Sequence, residues 1–150
     1  MSVSSCVGLA VATCVVLASA GCAPRGGAPS SGTPANLSLA TLVGATWTLV
    51  SLGGQPLPQG TQPPTAVFDG VRLSGLGGCN RYTGQVQDKG PGAITIGPIA
   101  STKMACPPPA MDVEGRYFAT LAEVTQYRFA GSRLVLSGLS GELTFERATP

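Results

Sequence analysis

The sequence predicts a mainly β (α+β) domain: a small antiparallel, partly closed β-barrel or roll with one inserted helix. Three observations lead to this fold class. Short apolar runs alternate with glycine- and proline-rich turns over residues 42–147. One segment with helical spacing interrupts them between Cys106 and Val124. The chain has 150 residues, which suits one domain with appendages, since a single core takes roughly 100 to 200 residues.

Seven or eight short strands are predicted from alternating apolar and polar residues bounded by turn residues. In the first strand Trp47, Leu49 and Leu52 should face the core. Asp69-Gly70 between two apolar runs is a strong hairpin signal, because a type I′ turn needs positive φ at both central residues. The predicted strands are 46–52, 65–68, 71–74, 83–87, 93–99, 125–129, 133–137 and 142–147.

The helix is predicted after the three prolines that follow Cys106. Apolar residues recur at helical intervals from Met111 to Val124. Asp112 and Glu114 lie near the predicted start, where the helix dipole favours anions. We therefore interpret both as capping or solvated residues.

Residues 1–21 are predicted to be a signal peptide. They carry no charged side chain, and their apolar run is shorter than the roughly 20 helical residues that span a bilayer. The run ends in Leu17-Ala18-Ser19-Ala20-Gly21-Cys22, which resembles the lipobox of lipoprotein signal peptidase and implies lipidation of Cys22. Ala18-Ser19-Ala20 is also an acceptable site for ordinary signal peptidase, which would release a soluble protein.

Residues 22–41 are predicted to be the lipidated cysteine and a disordered tether, followed by the folded domain at 42–150. The tether is small, polar and rich in proline and glycine, so it buries too little apolar surface to offset the entropy of ordering. Acyl chains on Cys22 would hold the protein to the outer face of a membrane in the cell envelope. Without lipidation the protein would be secreted.

The cysteine count predicts one disulfide. Cys6 and Cys14 leave with the signal peptide and Cys22 accepts the lipid, so Cys79 and Cys106 remain. In an oxidising compartment such a pair most often forms a disulfide. On the chain-entropy model, closing a loop of about 28 residues stabilises the fold by roughly 3 to 4 kcal/mol. A zinc site is disfavoured, because the chain has no histidine, and no metal or other cofactor is expected.

Composition argues against nucleic-acid binding and catalysis. The net charge is +2 and the basic residues are scattered, whereas a nucleic-acid binder concentrates them on one face. Without histidine there is no Ser-His or Cys-His pair, and joined cysteines leave no thiol. We therefore predict no catalytic residue and no enzymatic activity.

The glycines before Cys79 invite a phosphate-binding interpretation. A P-loop, however, needs Gly-Lys-Ser or Gly-Lys-Thr at the start of a helix, and strand-like sequence follows instead. We interpret these glycines as a turn that positions the disulfide.

Two short motifs carry a family resemblance. Gly78-Cys79-Asn80-Arg81-Tyr82 followed by Thr102-Lys103-Met104-Ala105-Cys106 is similar to the META domain family, and the likeness extends over residues 42–147. It implies a lipocalin-like antiparallel β architecture with one helix, placed outside the cytoplasm and usually lipid-anchored. It also implies a link to envelope stress tolerance and no established enzymatic activity.

The polar residues of these motifs, Asn80, Arg81, Thr102 and Lys103, form the candidate binding patch. In one interpretation the disulfide gathers them into a cationic patch for an anionic ligand or partner. In the other, Asn80 satisfies backbone groups in an irregular turn, while Arg81 and Lys103 simply face solvent.

Two further functions are considered. A carrier of a small apolar ligand needs a roomy barrel, whereas the aromatic residues look just sufficient to fill the core. A protease inhibitor would present the proline-rich loop 55–64, which has no disulfide bracing. We expect a monomeric binding or structural module of the envelope, anchored to a membrane, whose protein or small-molecule partner the sequence does not identify.

Overall fold

A computed structural model describes residues 37–149. The predicted signal peptide, lipobox cysteine Cys22 and most of the predicted tether lie outside these residues. A short 3-10 helix, Leu39–Leu42, comes first. The other elements are β1 (Thr46–Leu52), β2 (Gln55–Pro56), β3 (Thr65–Phe68), β4 (Arg72–Leu76), β5 (Arg81–Gly90), β6 (Ala93–Ile96), β7 (Ala100–Ser101), α1 (Pro108–Ala122), β8 (Val124–Ala130), β9 (Arg133–Gly138) and β10 (Gly141–Arg147).

Eight of the strands form a closed antiparallel barrel, which confirms the predicted mainly β fold with one helix. Neighbouring strands follow the order β1, β3, β4, β5, β6, β8, β9, β10. The first and last of these also pair, from Trp47 opposite Arg147 to Leu52 opposite Leu143. The sequence predicted a partly closed barrel or roll, and this pairing between the two ends of the domain closes it.

Large side chains fill the barrel interior. Trp47, Leu49 and Leu52 all point inward, as predicted, although their spacing breaks the period of two. A bulge between Leu49 and Ser51 explains this, because an extra residue in one strand shifts the facing of all that follow. The largest fully buried side chains are Trp47, Phe68, Tyr117, Tyr127 and Phe145.

The two ends of the barrel differ. At the entry end, where the described chain joins β1, lie the turns between β3 and β4, between β5 and β6, and between β8 and β9. At the helix end lie the β4–β5 loop, the β9–β10 turn and α1. The disulfide between Cys79 and Cys106 connects the segment just before the helix to the β4–β5 loop at this end. After the last turn of the helix the carbonyl of Glu123 packs directly against Gly138.

Element boundaries differ from the predictions at several places, among them the start of the domain and both ends of the helix. Leu39 and Leu42 are buried, so the packed chain begins before the predicted start at residue 42. The helix begins at Pro108, inside the proline run, because proline is tolerated in the first turn, where its missing N–H would be unpaired in any case. Val124, predicted to continue the helix, is instead the first residue of β8.

The predicted β3–β4 hairpin is present, but its turn lies one residue later than expected. The amide of Asp69 donates to the carbonyl of Arg72, so the central residues are Gly70 and Val71. The Asp69 carboxylate accepts from the amides of Val71 and Arg72. Gly70 adopts a positive φ of 101°, which glycine tolerates because it has no side chain.

Gly75 permits an unusual approach between strands. A side chain at Gly75 would collide with the backbone carbonyl of Thr65, which is turned inward and accepts a hydrogen bond from the Tyr82 hydroxyl at 3.0 Å. The hydroxyl of Thr65 accepts from the amide of Leu76 at 3.0 Å. Thr65 and Leu76 are therefore joined through a side chain instead of a regular backbone pair.

Gly75→Ala should destabilise the domain by about 1–3 kcal/mol, because the added methyl group forces the Thr65 backbone away from Tyr82. Chemical denaturation measures this. The control is Gly115→Ala in α1, where an added methyl group meets nothing within 4 Å and should stabilise the helix by up to about 1 kcal/mol. Equal effects of the two substitutions would contradict the assigned role of Gly75.

Candidate functional site

The site at the helix end is organised around the buried carboxylate of Glu114. This residue is only 5% exposed. One oxygen accepts from the backbone amides of Asn80, at 2.6 Å, and Cys79, at 3.1 Å. The other accepts from the side-chain amide of Asn80 at 2.8 Å. Both carboxylate oxygens are thus satisfied by the β4–β5 loop, as a buried charged group requires.

Asn80 connects this carboxylate to the segment that follows β7. Its side-chain carbonyl accepts from the Thr102 hydroxyl at 2.8 Å and from the Met104 amide at 2.7 Å. Its side-chain amide also donates to the Met104 carbonyl at 3.2 Å. Asn80 is 2% exposed, so it acts as a buried link between α1 and Met104. The interpretation that Asn80 satisfies backbone groups is confirmed.

The disulfide between Cys79 and Cys106 is present, with the two α-carbons 6.1 Å apart. It lies beside the hydrogen bonds of Asn80 and joins the same two segments. The β4–β5 loop and the chain before α1 are therefore connected both covalently and through Asn80.

Two glycines let the helix approach the loop. A side chain at Gly77 would collide with the ring of Phe118 and make a tight contact with the carboxylate of Glu114. Gly78 has a φ of 126°, which other residues rarely adopt. The loop therefore holds an anion, but that anion is the protein's own carboxylate. Because the amides of Cys79 and Asn80 are already bonded, they are not available to a phosphate.

Tyr82 and Tyr117 form a second buried pair beneath this network, with their hydroxyl oxygens 2.7 Å apart. Tyr82 donates to the Thr65 carbonyl, which only accepts, so Tyr117 donates to Tyr82. Burial raises the pKa of both hydroxyls above the ordinary tyrosine value, and for Tyr117 the neighbouring Tyr82 adds to the rise. Both tyrosines therefore remain protonated at neutral pH.

The candidate patch is brought together only in part. Asn80 and Thr102 are hydrogen-bonded, and the Thr102 amide donates to the Arg81 carbonyl at 3.0 Å. Arg81 and Lys103 are exposed, but their side chains line different clefts. Binding of an anion by this patch stays a prediction.

Two clefts flank the exposed side chain of Met104. The first, of about 700 Å³, lies on the outer face of β3–β5 and includes Arg81. The second, of about 340 Å³, lies between the Met104 segment and α1, and includes Lys103 and Met111. Among residues 37–149 no three metal-ligating side chains come together, and no helix in that range is long and apolar enough to cross a membrane.

Glu114 is the residue that the sequence interpretation placed wrongly. We expected a capping or solvated side chain, but Glu114 lies beyond the first turn of α1, which has no acidic residue, and is buried. The sequence nevertheless contains a pattern that indicates the burial of Glu114. Met111, Glu114, Phe118 and Leu121 recur at intervals of three and four residues, so Glu114 shares the face of the helix that contacts the barrel.

Comparisons with known proteins agree with this architecture. The chain matches the META domain family model over residues 40–150, and it belongs to that family. One NMR structure of a protein is 25% identical, has a TM-score of 0.61, and covers 74% of this chain and 95% of its own. A second, from Burkholderia xenovorans, is 26% identical with a TM-score of 0.59 and covers 85% of this chain and 100% of its own. None of the curated proteins matches.

Glu114→Gln should destabilise the folded domain by about 1–3 kcal/mol. The new NH₂ group would face either the loop amides or the side-chain amide of Asn80, and all of these are donors. Asn80 has no free acceptor to offer, because its carbonyl serves Thr102 and Met104. Urea denaturation of the oxidised proteins measures the loss.

The matched control is Asp112→Asn, which changes an exposed carboxylate on the same helix. We expect its free energy of unfolding to lie within about 0.5 kcal/mol of the original protein. A Glu114 variant as stable as this control would show that the buried carboxylate is dispensable.

From neutral pH to about pH 9 the buried tyrosines should not change the stability, which should fall above the ordinary tyrosine pKa of about 10. There the unfolded chain releases protons that buried Tyr82 and Tyr117 retain, so rising pH favours unfolding. Tyr117→Phe should reduce the slope by about 1.4 kcal/mol per pH unit, one proton's contribution. Denaturation at several alkaline pH values tests this, and identical slopes would refute it.

Proposed function

We propose that this META domain protein is exported, anchored to a membrane by lipid on Cys22, and acts by binding envelope components at the helix end. The observation that carries the proposal is the fixed position of Met104. Both its amide and its carbonyl are hydrogen-bonded to buried Asn80, while the residue is 56% exposed and lines two clefts. A fixed backbone at this position lowers the entropy cost of binding, because only the methionine side chain remains to be ordered.

The connectivity of the chain supports the orientation. A lipid anchor on Cys22 would reach the domain through Leu37, which packs near Gly92 at the entry end. The helix end lies at the other end of the barrel and is thus free to meet partners. The disulfide supports export, because such bonds persist in oxidising compartments. The link to envelope stress tolerance that the family resemblance implies fits this location.

The residues of the site support binding over catalysis. The chain has no histidine, both of its domain cysteines are joined, and the Glu114 carboxylate is fully committed to three donors. The filled interior also argues against a carrier that encloses its ligand in the barrel. For the loop at 55–64, no structural feature favours a protease inhibitor.

Photo-crosslinking in the membrane-attached protein tests this proposal. A photoreactive amino acid is placed at Met104 or at Val71, which is 71% exposed at the entry end. We expect products with envelope components to be several-fold more abundant from position 104. Equal yields, or a higher yield from position 71, would overturn the proposed binding face.

Cys22→Ser provides the control for anchoring. We expect the original protein to sediment with membranes and to carry lipid on Cys22 by mass spectrometry, and the variant to be released in soluble form. Recovery of the original protein without lipid in the soluble fraction would contradict the anchor while leaving the crosslinking comparison valid.

A further inference from the structure

The cleft on the outer face of β3–β5, here called the β3–β4 cleft, results from a local departure of β3 from β4. Regular pairing of these strands ends at Val67 opposite Ser74. Two residues further along, the Thr65 carbonyl turns inward to Tyr82, and only the Thr65 hydroxyl reaches the Leu76 amide. The hydrogen bond from the Tyr82 hydroxyl to the Thr65 carbonyl, together with the absence of a side chain at Gly75, thus keeps this part of the sheet open.

Apolar residues line this cleft together with one cation and with uncharged polar residues that include Gln62, Thr65 and Ser74. Val67, Leu76 and Met104 are its large aliphatic residues. Val67 alternates with buried Ala66 and Phe68 along β3, so it faces the outside of the barrel. Its volume of about 700 Å³ lies within the usual range of roughly 300–1,000 Å³ for small-molecule sites. The cleft therefore suits an apolar group of modest size.

Arg81 is the only charged residue among those that line the cleft. In the described part of the chain the ion pairs are Arg128 with Glu142 and Arg133 with Glu146, so Arg81 has no carboxylate partner there. A guanidinium group binds a carboxylate through two parallel hydrogen bonds. A ligand with one carboxylate would satisfy Arg81, while a second anionic group would meet no cation in the cleft.

We propose that the β3–β4 cleft binds a small amphipathic acid, with its single carboxylate on Arg81 and its apolar part against Val67, Leu76 and Met104. This inference deepens the proposed binding function and rests on it. It assigns ligand binding to the outer surface of the barrel, whereas the interior is filled by the protein's own side chains.

Titration of the purified, oxidised protein with octanoate, followed by amide NMR, tests the proposal. We expect shift changes centred on Val67, Leu76, Arg81 and Met104. Octanol, which has the same chain without the charge, should bind about tenfold more weakly, the difference expected for a charge-assisted hydrogen bond. Equal affinities, or shift changes located elsewhere, would overturn it.

Arg81→Gln should weaken octanoate binding about tenfold and leave octanol binding unchanged. The matched control is Arg72→Gln, which removes an exposed arginine from β4 that does not line this cleft. Equal losses in the two variants would indicate a general charge effect and refute the assigned role of Arg81. The amide spectra also establish that both variants are folded.

A short peptide with a C-terminal leucine is a second probe for the same NMR titration. Binding of this peptide at Arg81 without binding of octanoate would overturn the assignment of a small acid. It would show instead that the cleft binds the C-terminus of a protein. Failure of both probes would refute the ligand assignment but not the proposed function, because crosslinking from Met104 to an envelope component does not depend on either probe.

Discussion

The structure of the helix end depends on one carboxylate, that of Glu114, which α1 places against the amides of the β4–β5 loop. A buried charge without donors would cost several kcal/mol, and here three N–H groups satisfy it. Because two of these donors belong to the backbone, the carboxylate fixes the path of the chain. Asn80 extends the constraint to Met104, and the disulfide from Cys79 to Cys106 connects the same segments covalently.

This arrangement explains how the backbone is held in place where the chain has little regular structure. Between the end of β7 and the start of α1 the backbone forms neither strand nor helix, yet Met104 is held at both its amide and its carbonyl. Binding residues are commonly carried by such segments when a scaffold positions them. The β3–β4 cleft has a related origin, since the tyrosine pair below Gly75 holds the Thr65 carbonyl inside the barrel. Both clefts thus border elements that buried polar groups hold in place.

Local sequence patterns predicted the features that depend on near neighbours: most of the strands, the hairpins of the last three strands and α1. The disulfide could be predicted from the number of cysteines that remain in the domain. Closure between β1 and β10 could not, because pairing of distant strands leaves no local pattern. Glu114 could have been placed from its position between Met111 and Phe118, but an acidic residue near a helix start has a more common explanation. The departure of β3 from β4 depends on a hydrogen bond to Tyr82 on another strand, which periodicity does not reveal.

The most direct test of the central role of Glu114 is hydrogen exchange at the amides of Cys79 and Asn80 after the disulfide is reduced. If the carboxylate holds the loop, both amides should stay strongly protected without the covalent bond, as much as those of neighbouring β5. Exchange as fast as that of the exposed turn at Gly131 would show that the disulfide alone maintains the site, and would contradict this account.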